Sequence, residues 1–217
     1  MTEPDFEQMR RHMVASQLRT TGVNDARVLA AMGAVAREDF VPVERRAAAY
    51  ADIMLPLGEG RALSPPMTLG LLLTEARLAG DERALLVGAA GGYSAAVLVR
   101  LVGSLVALEE APALAAKARA ALAPLGVELV EAPLETGHAT GGPYDFILVD
   151  GAIEELPPAI IDQLADGGRA AFVLLDRGVT RLAVGRRIGA GFGVTTYVDS
   201  AAAPLPGFAR ARTFSFS

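Results

Sequence analysis

The sequence predicts an α/β protein, a mostly parallel sheet with helices on both faces and an N-terminal helical cap. Three observations predict it. From residue 83 to about residue 199, short β-rich runs alternate with helical segments, the texture of βαβ units. Before that point, residues 1–80 read as helices and loops. At 88–93 the small-residue stretch GAAGGY stands between an apolar run and a helix, as the ligand-binding turns of such sheets do.

Composition bounds what the chain does. Its 217 residues suit one domain, with 1–80 as a cap and loop and 81–217 as the α/β core. The 52% hydrophobic content is ample for a core without staples. There is no Cys, which excludes disulfides and thiol nucleophiles, and His12 and His138 are the only histidines, so no metal site is expected. A net charge of −5 argues against nucleic acid as a partner. The polar opening Met1 to Arg11 is unlike a signal peptide, and every apolar stretch is interrupted before the ~18 residues of a membrane span. A soluble cytoplasmic protein is the expectation.

The elements follow in order. Phe6, Met9, Met13 and Leu18 give partial helical periodicity over about Asp5 to Arg19. A second helix is expected over about Asp25 to Met32, with Asn24 as N-cap and Gly33 as stop. YADIMLPLGEGRALSP, 50–65, reads as a loop from its Pro and Gly content. A third helix starts near Pro66, which suits a first-turn position, and stops at Gly80. Strands are expected at 84–87, 105–108, 127–130, 144–149 and 169–175, with two further β-like runs at 181–188 and 192–199. Between them lie helices at 94–101, 112–123 and 158–164, and a Gly-rich loop at 132–143.

Two features carry chemistry. In GAAGGY, small residues let the backbone approach a ligand closely, and the helix beginning at Ser94 presents unpaired N–H groups. The other reading is a tight turn with no ligand. Glu109 ends the next strand about 20 residues on, where a carboxylate accepts both hydroxyls of a ribose. Alone it reads equally well as a solvated charge beside Glu110; together the two favour a bound nucleoside. PYDFILVDGA then brings Asp150 to a strand's carboxyl end, where open α/β sheets bind ligands.

Longer segments make the resemblance specific. MVASQL (13–18), GVNDARVLAAMGAVAREDFVP (22–42) and AYADIMLPLGEGRALSPP (49–66) resemble the protein-L-isoaspartate O-methyltransferases. The last segment in that family typically reads AYxDxxLPIGxGQTISQP, and Ala49, Tyr50, Asp52, Leu55, Pro56, Gly58, Gly60, Ser64 and Pro66 match it. The family's cofactor turn resembles VLEIGTGSGYQAA, matched by Gly88, Gly92, Tyr93, Ala95 and Ala96. The resemblance implies a Rossmann-like, S-adenosylmethionine-dependent methyltransferase fold, and methyl transfer to isoaspartyl carboxylates of damaged proteins or peptides. It implies Gly88, Ala89, Ala90, Gly92, Tyr93 and Glu109 as cofactor contacts, with Glu131, Ala132 and Asp150 at the remaining cofactor positions. Ser64 is implied as the active-site hydroxyl, with Tyr50 and Asp52 on the substrate side. Ser64 also reads as a cap for the helix at Pro66, a role compatible with the first, and Asp52 reads equally as a turn residue.

Several functional positions depart from the family. Leu86 stands where an acidic residue precedes the turn, Ala90 where the turn has Gly, and Pro65 where a Gln follows the Ser. The adenine-facing Gly-Asp-Gly falls at Glu131, Ala132 and Pro133, so Glu131 or Glu135 is the candidate substitute. Asp150-Gly151-Ala152 replaces Thr-Ala-Ala, and FVLLDRG lacks the Pro-Val-Gly strand ending. A divergent methyltransferase with another acceptor, and a non-catalytic relative that keeps the fold, therefore stand beside the repair enzyme. Oligomeric state and the order of the last strands are not legible.

Overall fold

The computed structural model describes residues 4–210. Asp5 opens the first helix by accepting the Gln8 N–H at 2.9 Å, a side-chain cap. Helix α1 (Phe6–His12) widens into a π-helical stretch, Met13–Leu18, and tightens into a 3₁₀ turn, Arg19–Thr21. The widened turn buries Met13 and Leu18. Helix α2 spans Ala26–Ala34. Its cap is Asp25, not the expected Asn24, because the Asp25 carboxylate takes the Arg27 N–H at 2.8 Å. Nor does Gly33 stop it, since the helix runs one residue further.

The expected loop at 50–65 contains a hairpin. Strand β1 (Leu55–Gly58) pairs antiparallel with β2 (Arg61–Leu63) as a two-stranded sheet of its own. Glu59 (φ 53°) and Gly60 (φ 69°) both take positive φ, as a type I′ hairpin turn requires. The Pro and Gly residues suggested a loop, but Leu55, Leu57 and Leu63 alternate into the core and fix the pairing. Helix α3 (Pro66–Ala76) begins on Pro66 as expected but ends before Gly80, with Arg77 in the left-handed conformation (φ 51°).

The main sheet comprises β3 (Arg83–Val87), β4 (Ser104–Glu109), β5 (Glu128–Glu131), β6 (Tyr144–Ile153), β7 (Leu164–Asp176), β8 (Val179–Ile188) and β9 (Gly191–Asp199). Their order is β5-β4-β3-β6-β7-β8-β9. The first five run parallel; β8 and β9 fold back antiparallel as a meander. Helix α4 (Tyr93–Leu98) joins β3 to β4 and α5 (Pro112–Leu122) joins β4 to β5. Early entry into β7 shortens the helix expected at 158–164 to α6 (Pro158–Ile161).

Alternation along β3 sorts the core. Ala84 and Leu86 face a cluster with α1 to α5, while Leu85 and Val87 face a second cluster holding Ile160, Leu205 and Phe208. Among the described residues no helix is long and apolar enough to cross a membrane. The register places the site: Val87 pairs with Leu108 on β4 and with Val149 on β6. One residue further along each strand, Gly88, Glu109 and Asp150 therefore meet at one edge of the sheet.

Candidate active site

The turn after β3 is built around Leu108, whose carbonyl accepts the N–H groups of Gly88 and Ala89, both at 2.9 Å. Gly88 has φ 85°, and a side chain there would meet Arg61 Nη2 at 2.8 Å and the Asp150 carbonyl at 3.4 Å. Gly92 (φ 101°) begins α4 with its Cα packed on α5; an added Cβ would sit 3.4 Å from Ala118 Cα. Ala90 holds φ 46°, a left-handed conformation that costs an L-residue about 1–2 kcal/mol. Its N–H donates to Glu109 Oε2 at 2.6 Å, which helps fix that geometry.

Glu109 is completely buried at the end of β4. Its Oε1 accepts the N–H groups of Glu110 (3.0 Å) and Ala111 (3.1 Å). From across the site, Arg61 Nη1 donates to Oε1 at 2.7 Å and Oε2 at 2.9 Å. Both side chains are shut from solvent, 2% and 0% exposed. The signal available for Arg61 was its departure from the Gln of the family segment; its pairing partner lies 48 positions away.

The second cluster centres on Asp150. Ser64 Oγ donates to its Oδ1 at 2.7 Å, and Ser94 Oγ donates to its Oδ2. Pro65 is the N-cap residue of α3 and makes no side-chain cap bond. The Ser64 hydroxyl thus turns to Asp150 rather than to the helix, while Asp52, 15 residues before Met67, accepts that residue's N–H at 2.9 Å and caps the helix from outside it. Behind Ser64 lies a wholly buried Arg37. Its Nε donates to the Ala49 carbonyl at 2.6 Å and Nη2 to the Ser64 carbonyl at 2.6 Å. The guanidinium lies 4.6 Å from the centroid of the Tyr93 ring, which also meets Phe40 edge-on at 5.7 Å. Burial pushes the Arg37 guanidinium below its ordinary pKa and the Tyr93 hydroxyl above its own. Among the described residues, Arg37 Nη1 and the Tyr93 hydroxyl find no hydrogen-bond partner.

Tyr50 is buried beside this cluster. Its hydroxyl accepts the Arg37 N–H at 3.3 Å and donates to Glu38 Oε2. Burial first, and that carboxylate second, raise its pKa well above the usual tyrosine value. Outside it a hollow of about 410 Å³ is lined by Met9, His12, Gln17 and Tyr50. A cleft of about 480 Å³ beside the turn is lined by Phe40, Leu57, Gly91 and Leu114.

Ser64, Gly88, Ala89, Ala90, Gly92, Glu109 and Asp150 are thus gathered at one sheet edge. Tyr93 turns its ring toward Arg37, and Tyr50 and Asp52 shape the segment leading to Ser64. Glu131 pairs in register with Glu109, but its exposed side chain reaches Arg119 at 3.5 Å. Ala132 is half-buried against the second core cluster. Arg37, Arg61 and Ser94 are the polar residues that sequence reasoning did not assign to the site. REDF, 37–40, was the signal available for Arg37: an arginine in a segment matching the family.

Residues 9–195 match the family model described as Protein-L-isoaspartate(D-aspartate) O-methyltransferase. A Rhodopseudomonas palustris protein-L-isoaspartate O-methyltransferase is 42% identical over 167 residues, 76% of this chain and 68% of that one. The Methylorubrum populi relative of that name is 45% identical over 163 residues, 74% and 76% of the two chains. The one from Methanoregula boonei is 39% identical over 183 residues, 83% and 84%. Among solved structures, a protein-L-isoaspartate O-methyltransferase superposes with a TM-score of 0.80 at 23% identity, over 91% of this chain and 66% of that chain. A Plasmodium falciparum protein described as a candidate member, in complex with S-adenosyl-L-homocysteine, superposes with a TM-score of 0.76 at 17% identity, over 94% and 99%. These two likenesses concern the fold alone.

Proposed function

Because the chain belongs to the protein-L-isoaspartate(D-aspartate) O-methyltransferase family, we propose that it methylates the free carboxylate of isoaspartyl residues in damaged proteins and peptides. The observation that carries this reading is the meeting of Ser64 with Asp150 at the carboxyl edge of the sheet, beside the Gly88–Gly92 turn. S-adenosylmethionine, when bound, supplies a methyl group made electrophilic by the sulfonium charge. The acceptor needs little help, since a carboxylate with an ordinary pKa of about 4 is already anionic at neutral pH. The protein's work is to orient the reactants and exclude water. That accords with a site built of Ser, Asp, Glu and Arg. Glu109 and the turn backbone are the groups suited to the nucleoside. Asp150 fixes the Ser64 hydroxyl, Arg37 fixes its backbone, and Tyr50 and Asp52 hold the segment that presents it.

One contact favours a second reading, a methyltransferase for another acceptor. The Ser64 proton is already given to Asp150, so the hydroxyl meets a ligand as an acceptor unless that bond opens. The test supplies labelled S-adenosylmethionine with an isoaspartyl peptide and its aspartyl twin. Methyl ester on the isoaspartyl peptide alone, lost in Ser64→Ala at an unchanged melting temperature, is expected. Cofactor binding without transfer to either peptide refutes the repair-enzyme reading in favour of another acceptor. Failure to bind cofactor at all leaves the non-catalytic relative.

A further inference from the structure

A carboxylate offers about four lone-pair sites. Glu109 receives five contacts: N–H groups from Ala90, Glu110 and Ala111, and Arg61 Nη1 on both oxygens. Three of these come from the backbone around the turn and the end of β4 and cannot leave without unmaking it. Arg61 alone is a side chain, and it comes from a separate element, the β1–β2 hairpin. Its Nη2 also sits over the turn, 2.8 Å from where Gly88 would carry a Cβ, and Leu205 approaches the same point at 3.5 Å. The guanidinium therefore fills both the acceptor and the space that a nucleoside would use.

We propose that Arg61 competes with the cofactor for Glu109, so that S-adenosylmethionine is admitted only as the β1–β2 hairpin draws the guanidinium off, and Arg61 sets the cofactor affinity of this chain. This rests on the reading that the Gly88–Glu109 site takes that cofactor. The competition is unequal in strength. Arg61 brings a full positive charge to the Glu109 carboxylate, whereas a ribose hydroxyl brings to the same carboxylate a donor without charge of its own. The pair is also dry, so water does not weaken it. The hairpin is held in the core at its base by Leu55, Leu57 and Leu63, but its turn and the Arg61 side chain are suited to move. It shares no strand pairing with the main sheet, and its tip, Gly58 to Gly60, is exposed, with nothing within 4 Å of a Cβ placed on either glycine.

The experiment compares the native protein with Arg61→Gln, which places there the residue of the family pattern and keeps a neutral donor toward Glu109. Calorimetric titration with S-adenosylhomocysteine is expected to give at least a tenfold lower Kd for Arg61→Gln. The ligand should also raise the melting temperature of the variant more than that of the native protein. Hydrogen exchange of the native protein should show the amides of 58–63 exchanging faster once the ligand is added, while those of the turn slow. This measurement needs no variant, and so decides the matter if Arg61→Gln folds poorly. Equal or weaker binding by a folded variant, or a hairpin that is unchanged or more protected on ligand binding, overturns the proposal and leaves the proposed function standing. Binding by neither protein overturns both.

Discussion

Arg37 is a wholly buried cation behind Ser64, and replacing it with Met probes the side of the site proposed for the acceptor. Methionine keeps much of the volume and removes the charge. Two buried carbonyls, those of Ala49 and Ser64, then lose their 2.6 Å donors. A buried polar group left without a partner costs about 1–3 kcal/mol. Loss of the desolvated stacking on Tyr93 adds about 2 kcal/mol. Against this, the variant no longer buries a guanidinium whose Nη1 has no partner, and burial already disfavours the charged form. The balance is a destabilisation of about 3 kcal/mol, which in a chain of this size lowers the melting temperature by roughly 6–12 °C. Thermal unfolding followed by circular dichroism measures it, and methyl transfer at a temperature where the variant remains folded measures the second effect. With the Ser64 backbone released, kcat should fall more than the folded fraction does. A variant that melts within about 2 °C of the native protein and turns over normally would refute this account.

Two further outcomes follow from local geometry. Glu82 is buried, which alone would raise its pKa. The N–H groups of Ala79 (2.6 Å) and Gly80 (2.8 Å), with Arg169 at 2.7 Å, outweigh burial and hold it below the ordinary 4.5. A depressed carboxylate contributes stability that is complete above its unfolded pKa and lost as pH falls through the folded one. Melting temperature should therefore drop on acidification below about pH 4.5, and less steeply in Glu82→Gln; superimposable acid limbs would contradict this. In α3, Gly70→Ala sets helix propensity against packing. Alanine gains about 1 kcal/mol in an open helix, but its Cβ would stand 2.9 Å from Val23 Cγ2 and 3.3 Å from Met32 Sδ. Val23 is β-branched and wholly buried, so the clash should win, with a net loss of about 1–2 kcal/mol. A higher melting temperature in urea-free buffer would show that the core yields.

The strands were legible because their signal is local. Runs such as Ala84–Val87 and Tyr144–Val149 are apolar and bounded by turn residues, and the structure places strands on both. Element ends were less so, since they depend on which side chain wins a cap: Asp25 over Asn24, and Arg77 ending α3 before Gly80. The hairpin was hidden for a different reason. Its turn rests on Glu59, a residue that takes positive φ only under constraint, inside a stretch whose Pro and Gly content argued for a loop. At the site, the strand ends announced Glu109 and Asp150, because parallel strands in register bring their carboxyl ends together. What those carboxylates hold was not written locally. Arg61 reaches Glu109 across 48 positions and Ser64 reaches Asp150 across 86. No periodicity or motif spacing encodes contacts that only the folded sheet creates.

The hairpin carries Arg61 on its second strand, and three residues later the same segment delivers Ser64. One short piece of chain thus touches both Glu109, proposed for the nucleoside, and Asp150, beside the hydroxyl proposed for the acceptor. Two ligands that each prefer a particular setting of that piece cannot bind independently. Whatever factor one applies to the other's affinity must be returned in equal measure. A peptide that favours the withdrawn hairpin would strengthen nucleoside binding, and the nucleoside would strengthen peptide binding by the same ratio. The order in which the two arrive then becomes a property of the hairpin's equilibrium rather than of either pocket.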